Sequence, residues 1–74
     1  MEIYKFMSKL TNELNKNLFC EVEIKNIYNN YDKTHLIYIN AKRGNKKYEY
    51  GYSVHEKWLN SECVNDIVNR LLSQ

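Results

Sequence analysis

The chain has 74 residues, of which 43% are hydrophobic and 27% charged, with a formal net charge of +2 at pH 7. That balance is too apolar for a disordered chain, and too mildly basic to mark a nucleic-acid binder by total charge alone. One domain of this length hides only roughly 60% of the surface its unfolded chain exposes, which leaves little scaffold for a preorganised catalytic cleft, so a non-enzymatic protein is expected.

Lysine outnumbers arginine, asparagine is abundant and proline is absent. We read this bias as an AT-rich coding genome, of bacterial, phage or other mobile-element origin. No apolar run approaches the ~20 residues of a membrane span, and Met1-Glu2-Ile3 lacks the basic start and apolar stretch of a signal peptide, which places the protein in the cytoplasm with no membrane partner. There Cys20 and Cys63 are expected to stay reduced as two buried thiols. With His35 and His55 they complete a Cys2His2 composition, but neither the Cys-x-x-Cys nor the His-x3-His type of spacing is present, so no metal or cofactor is expected.

In chain order, Ile3, Phe6, Met7, Leu10, Leu14 and Leu18 recur at steps of three and four, which predicts an amphipathic helix from residue 2 to about residue 16. Residues 19–28, FCEVEIKNIY, then alternate, with Cys20, Val22 and Ile24 assigned to the buried face of a strand and Glu21, Glu23 and Lys25 to the solvated face. Asn29 to Thr34 supply turn residues and read as the first inter-strand loop.

LIYINAKR and KKYEYGYS are two further period-two runs separated by Gly44-Asn45, the signature of a two-residue hairpin. This turn fixes a register: Arg43 faces Lys46, Lys42 faces Lys47, Ala41 faces Tyr48, Ile39 faces Tyr50 and Ile37 faces Tyr52. Tyr48, Tyr50 and Tyr52 therefore belong to an inner, helix-covered face. The other face carries Leu36, Tyr38, Asn40 and Lys42 opposite Ser53, Gly51, Glu49 and Lys47, and is polar apart from Tyr38, whose ring is expected to cover Gly51.

Ser53 followed by Glu56 fits a capping box and predicts the start of a second helix. Its apolar stripe would be Trp58, Cys63, Val64, Ile67, Val68, Leu71 and Leu72. Asn60-Ser61 is a weak point in that helix, since both residues prefer caps, and a bend or two consecutive helices is an open alternative. The expected fold is a single α+β domain spanning 1–74: a three-stranded antiparallel sheet with two helices packed on one face, in the order α-β-β-β-α.

No catalytic motif is present, so candidate function rests on surfaces. Lys42, Arg43, Lys46 and Lys47 crowd the hairpin tip, and the Lys42–Lys47 pairing is repulsive. A phosphate backbone or an acidic protein surface would offset that repulsion; equally, lysines at a hairpin end keep sheet edges soluble. Tyr38 and Tyr31, with Tyr4 and Tyr28, are the tyrosines expected to expose their rings, a residue type enriched at protein interfaces.

The order α-β-β-β-α, the segment Gly51-Tyr52-Ser53 before the expected second helix and His35 near the first inter-strand loop resemble the double-stranded-RNA-binding domain. The resemblance spans nearly the whole chain and implies duplex RNA as partner, met in part by the first inter-strand loop in a minor groove. The lysine pair that this family carries at the start of its second helix is Val54-His55 here. In size and composition the chain is also similar to small phage-encoded inhibitors such as the anti-CRISPR proteins, which implies a host protein or protein complex as partner. The expected function is thus a non-enzymatic binding protein that occludes a host or defence protein, with Lys42, Arg43, Lys46, Lys47, Tyr38 and Tyr31 as contacts. The alternative is a nucleic-acid module of the double-stranded-RNA-binding type.

Overall fold

The structure, a computed structural model, describes residues 1–74. Helix α1 spans Ile3–Lys16, strands β1, β2 and β3 span Cys20–Asn29, Thr34–Arg43 and Lys46–His55, and helix α2 spans Ser61–Leu72 after a 3-10 turn at Glu56–Trp58. The strands form one antiparallel sheet in the order β1-β2-β3. Both helices lie on one face, α1 toward β1 and α2 toward β3, so the expected α+β architecture holds.

Helix α1 starts where the Glu2 carboxylate accepts from the Tyr4 amide at 2.9 Å, which satisfies one of the first-turn N–H groups. It buries Phe6, Leu10 and Leu14. Its end is a Schellman turn: Leu18 N donates to the Asn15 carbonyl at 3.2 Å and Phe19 N to the Leu14 carbonyl at 3.0 Å. Leu18 takes the left-handed position of that turn, with φ at 69°, and is 74% exposed. It therefore leaves the apolar stripe to which its spacing assigned it.

The hairpin register follows Gly44-Asn45 as expected, with Ala41, Ile39 and Ile37 facing Tyr48, Tyr50 and Tyr52. Gly44 sits at φ 64°, the positive region that such a turn requires. Tyr48 is buried and Tyr50 and Tyr52 half-buried against the core. Their hydroxyls reach α2: Tyr52 Oη donates to Asp66 Oδ2 at 3.1 Å, Arg70 Nε donates to the same oxygen at 3.1 Å, and Arg70 Nη1 donates to Tyr50 Oη at 3.2 Å.

Strand β1 departs from its predicted alternation. Cys20 pairs with Lys42 and Glu23 with Asn40, so one extra residue is inserted between them as a bulge. Glu21 takes the left-handed conformation there, φ 51°. An odd insertion inverts the face of everything before it. Cys20 is thus exposed on the outer face rather than buried, and Phe19 takes the inner position, 3% exposed and edge-on to Tyr48 with ring centroids 5.1 Å apart.

The second correction concerns the start of the last helix. Ser53 does not cap it, because β3 continues through Val54 and His55, which pair with His35 and Thr34, and Glu56 N donates to the Lys33 carbonyl at 2.8 Å. The ladder supplies more bonds than a cap at Ser53 would, so it wins. The chain then makes the 3-10 turn, with His55 Nδ1 accepting from Lys57 N at 3.1 Å. Helix α2 begins at Asn60, whose Oδ1 accepts from Cys63 N at 3.0 Å, and the open alternative of a break at Asn60 is the one realised. Trp58 falls outside the helix and is 63% exposed rather than part of its stripe, and Leu72, at the far end, is 36% exposed. Cys63 is half-buried, its Sγ donating to the Trp58 carbonyl at 2.8 Å.

Candidate binding surfaces

Three of the four basic residues at the hairpin tip have partners within the chain. Arg43 Nε donates to the Asn17 carbonyl at 3.0 Å and Lys46 Nζ to the Gln74 carbonyl at 2.9 Å. Asn17 caps the C-terminal end of α1 and Gln74 follows α2, where helix carbonyls favour cations. The same two cations lie over rings, Arg43 at 5.8 Å from the Phe19 centroid and Lys46 at 4.9 Å from Tyr48. The mixture of basic and aromatic residues in this stretch is therefore largely spent on tying the tip to the helices.

Lys42 and Lys47 face each other on the outer side as the register requires. Glu21 offsets the repulsion, its Oε2 lying 3.5 Å from Lys42 Nζ. Both partners are substantially exposed, so the pair contributes only a few tenths of a kcal/mol. Of the four tip cations, Lys47 is the one with neither a salt bridge nor a hydrogen bond.

Tyr31 is 94% exposed in the loop between β1 and β2, where Asn29 Oδ1 accepts from the Tyr31 and Asp32 amides at 2.9 and 3.2 Å. Ten-residue strands separate that loop from the tip by about 33 Å, in a molecule 39 Å long. Tyr31 and the basic tip thus mark opposite ends and share no site.

Tyr38 lies between them, 42% exposed on the outer face, its ring over Gly51 as expected, with Cε1 3.5 Å from the position a β-carbon would take there. Beside it is Ile27, 58% exposed, which pairs with Leu36. The outer face therefore holds an apolar centre of Ile27, Leu36 and Tyr38, not an aromatic alone. Ile27 was recoverable from sequence, since the same period of two that turns Lys25 outward also turns Ile27 outward. A shallow depression of about 630 Å³ opens at this point, bordered by Lys25, Ile27, Tyr38, Asn40, Glu49 and Gly51. Toward the tip the face becomes charged, with Glu21, Glu23, Lys42, Lys47 and Glu49 around a second depression.

His35, near the first loop, is 7% exposed. Its Nδ1 lies 2.9 Å from Asn26 Oδ1 and its ring packs on Tyr28 at 4.7 Å. Tyr28 Oη in turn donates to Glu56 Oε2 at 3.0 Å, and partial burial, followed by that hydrogen bond, raises the phenol above its ordinary range. Val54 is buried and His55 is occupied as a cap, so neither stands where a phosphate-holding pair would. No three His, Cys, Asp or Glu side chains converge in the arrangement a metal ion needs, and no helix is long and apolar enough to cross a membrane.

No family model, curated protein or solved structure matches the chain.

Proposed function

We propose that the chain is a non-enzymatic binding module that acts by covering a surface of another protein, in the manner of the small phage-encoded inhibitors of host or defence proteins. The observation that carries this reading is the outer face of the sheet. It is free of helices, has Ile27, Leu36 and Tyr38 at its centre, and is bordered by charges of both signs. An apolar centre within a polar rim is the anatomy of a protein interface. Tyr38 is the anchor, and a partner that fits would offer an apolar patch flanked by mixed charges.

The nucleic-acid alternative draws on Lys42, Arg43, Lys46 and Lys47. It has less support, because phosphate would have to compete with the carbonyls that hold Arg43 and Lys46 and with the Glu21 carboxylate.

The test uses the immobilised chain and variants to capture proteins from a host lysate. A specific partner retained by Lys47→Ser and lost with Tyr38→Ser supports the proposal. Capture that ignores Tyr38→Ser overturns it. Duplex RNA and DNA titrated at low salt provide the second arm: affinity that collapses with added salt and weakens in a Lys42→Ser, Lys47→Ser double variant moves the assignment to the nucleic-acid reading.

A further inference from the structure

The free edge of β1 has features that the outer face does not explain. From Glu23 to Asn29 this strand pairs regularly with β2 on one side only, and over those seven residues it carries no proline or bulge. Lys25 is its sole lysine. Strand edges are ordinarily protected by such devices. Ile24 is half-buried, and Tyr28 is 39% exposed. At the other edge, Gln74 Nε2 donates to the Glu49 carbonyl at 3.5 Å, so β3 already has part of its edge engaged.

The direction of the free backbone groups follows from the ladder. Glu56 N donates to the Lys33 carbonyl, and the Gly44-Asn45 turn closes on Arg43 and Lys46, so odd residues of β2 bond toward β3 and even residues toward β1. Through the register, Glu23, Lys25, Ile27 and Asn29 bond to β2. Ile24, Asn26 and Tyr28 therefore direct both N–H and C=O away from the sheet.

We propose that two copies of the chain pair edge to edge through β1, antiparallel about a two-fold axis at Asn26, to form a six-stranded sheet. This centre engages all seven regular residues. Asn26 meets Asn26 of the second copy, Ile24 meets Tyr28 twice, Lys25 meets Ile27 twice and Glu23 meets Asn29 twice. Ile24, Asn26 and Tyr28 would exchange six N–H···O bonds across the axis, and the Ile24–Tyr28 contacts are the β-branched and aromatic pairs that stabilise a sheet face. Other centres are poorer. An axis at Lys25 sets Lys25 against itself, one at Ile24 runs into the bulge, and one at Ile27 leaves Glu23 and Ile24 unpaired.

An axis normal to the sheet leaves all four helices on one side. On the other side the Ile27, Leu36 and Tyr38 patches of the two copies become neighbours, and form one continuous apolar surface to which each copy contributes half. The pairing stands whether or not that surface binds the partner proposed above.

The test is the mass of the full-length chain by sedimentation over roughly 1–500 μM, with two substitutions at Ile27. In this register Ile27 lies beside Lys25 of the other copy, so Ile27→Lys creates two like-charge pairs and Ile27→Glu two opposite-charge pairs. Ile27→Lys should weaken dimerisation about tenfold, and Ile27→Glu should leave it unchanged or tighter. Circular dichroism verifies that both fold. Hydrogen exchange should slow at the Ile24, Asn26 and Tyr28 amides as concentration rises. A wild-type chain that stays monomeric over this range overturns the proposal. So does a dimer that both substitutions disrupt equally, which would instead be a face-to-face association through the apolar patch.

Discussion

Replacement of Leu18 by glycine is expected to stabilise the protein. Leu18 holds φ 69° in the turn that ends α1, a conformation that costs an L-residue roughly 1–2 kcal/mol relative to the right-handed region. Glycine removes that cost, while its larger freedom in the unfolded chain returns about 0.5–1 kcal/mol. The side chain itself contributes little, since it is 74% exposed. The net gain is about 0.5–1 kcal/mol, which for a domain of this size raises Tm by about 2–8 °C. Thermal and urea unfolding of Leu18→Gly beside Leu18→Ala provides the measurement. Alanine keeps the β-carbon in the same conformation and should give no comparable gain. Equal stabilisation by both variants, or a loss with glycine, would refute the reasoning that backbone strain resides at this position.

Tyr52 gives the pH dependence: burial, then the bond to Asp66, pushes its phenol up to about 12, against about 10 for an unfolded tyrosine. Its contribution is full below about pH 10, where both states are protonated, and is lost as pH rises toward 12, so the urea midpoint should fall more steeply over that window in the wild type than in Tyr52→Phe. The amount at stake is about 1 kcal/mol once solvent screening at a half-exposed site is included. Asn60→Ala removes the cap of α2 and should cost about 1 kcal/mol in urea unfolding, whereas an alanine at Ser53, inside β3, should cost less. Gly51→Ala should be neutral or stabilising by up to about 0.5 kcal/mol, because the added β-carbon meets the Tyr38 ring at 3.5 Å, an ordinary contact; a loss above about 1 kcal/mol would show that Tyr38 cannot adjust.

The parts of the fold legible in the sequence are those decided by neighbours a few residues apart. Gly44-Asn45 sets the hairpin, and the hairpin sets every cross-strand pair from Arg43–Lys46 to Ile37–Tyr52, which is why the tyrosines could be assigned to the inner face without coordinates. Ser53-x-x-Glu56 obeys a local rule equally well, but the backbone of Val54 and His55 has a second claimant in His35 and Thr34, 19 and 21 positions away in the chain, so the competition between cap and ladder is not a local one. The bulge is hidden for another reason. Its left-handed position is usually glycine, and here it is Glu21, so nothing in the alternation of FCEVEIKNIY announces an extra residue. This one insertion also decides which side chain lies beneath the tip. With unbroken alternation Cys20 would point inward in place of Phe19, whereas Glu21 would still share the outer face with Lys42, because the pairing of Glu23 with Asn40 continues to Glu21 opposite Lys42. With the bulge, Phe19 comes beneath Arg43, while Glu21 lies 3.5 Å from Lys42 and answers the Lys42–Lys47 repulsion from within the chain. The pull of the tip on an external anion is correspondingly smaller, which is why the proposed function is placed on the apolar centre around Ile27 and Tyr38 rather than on the tip.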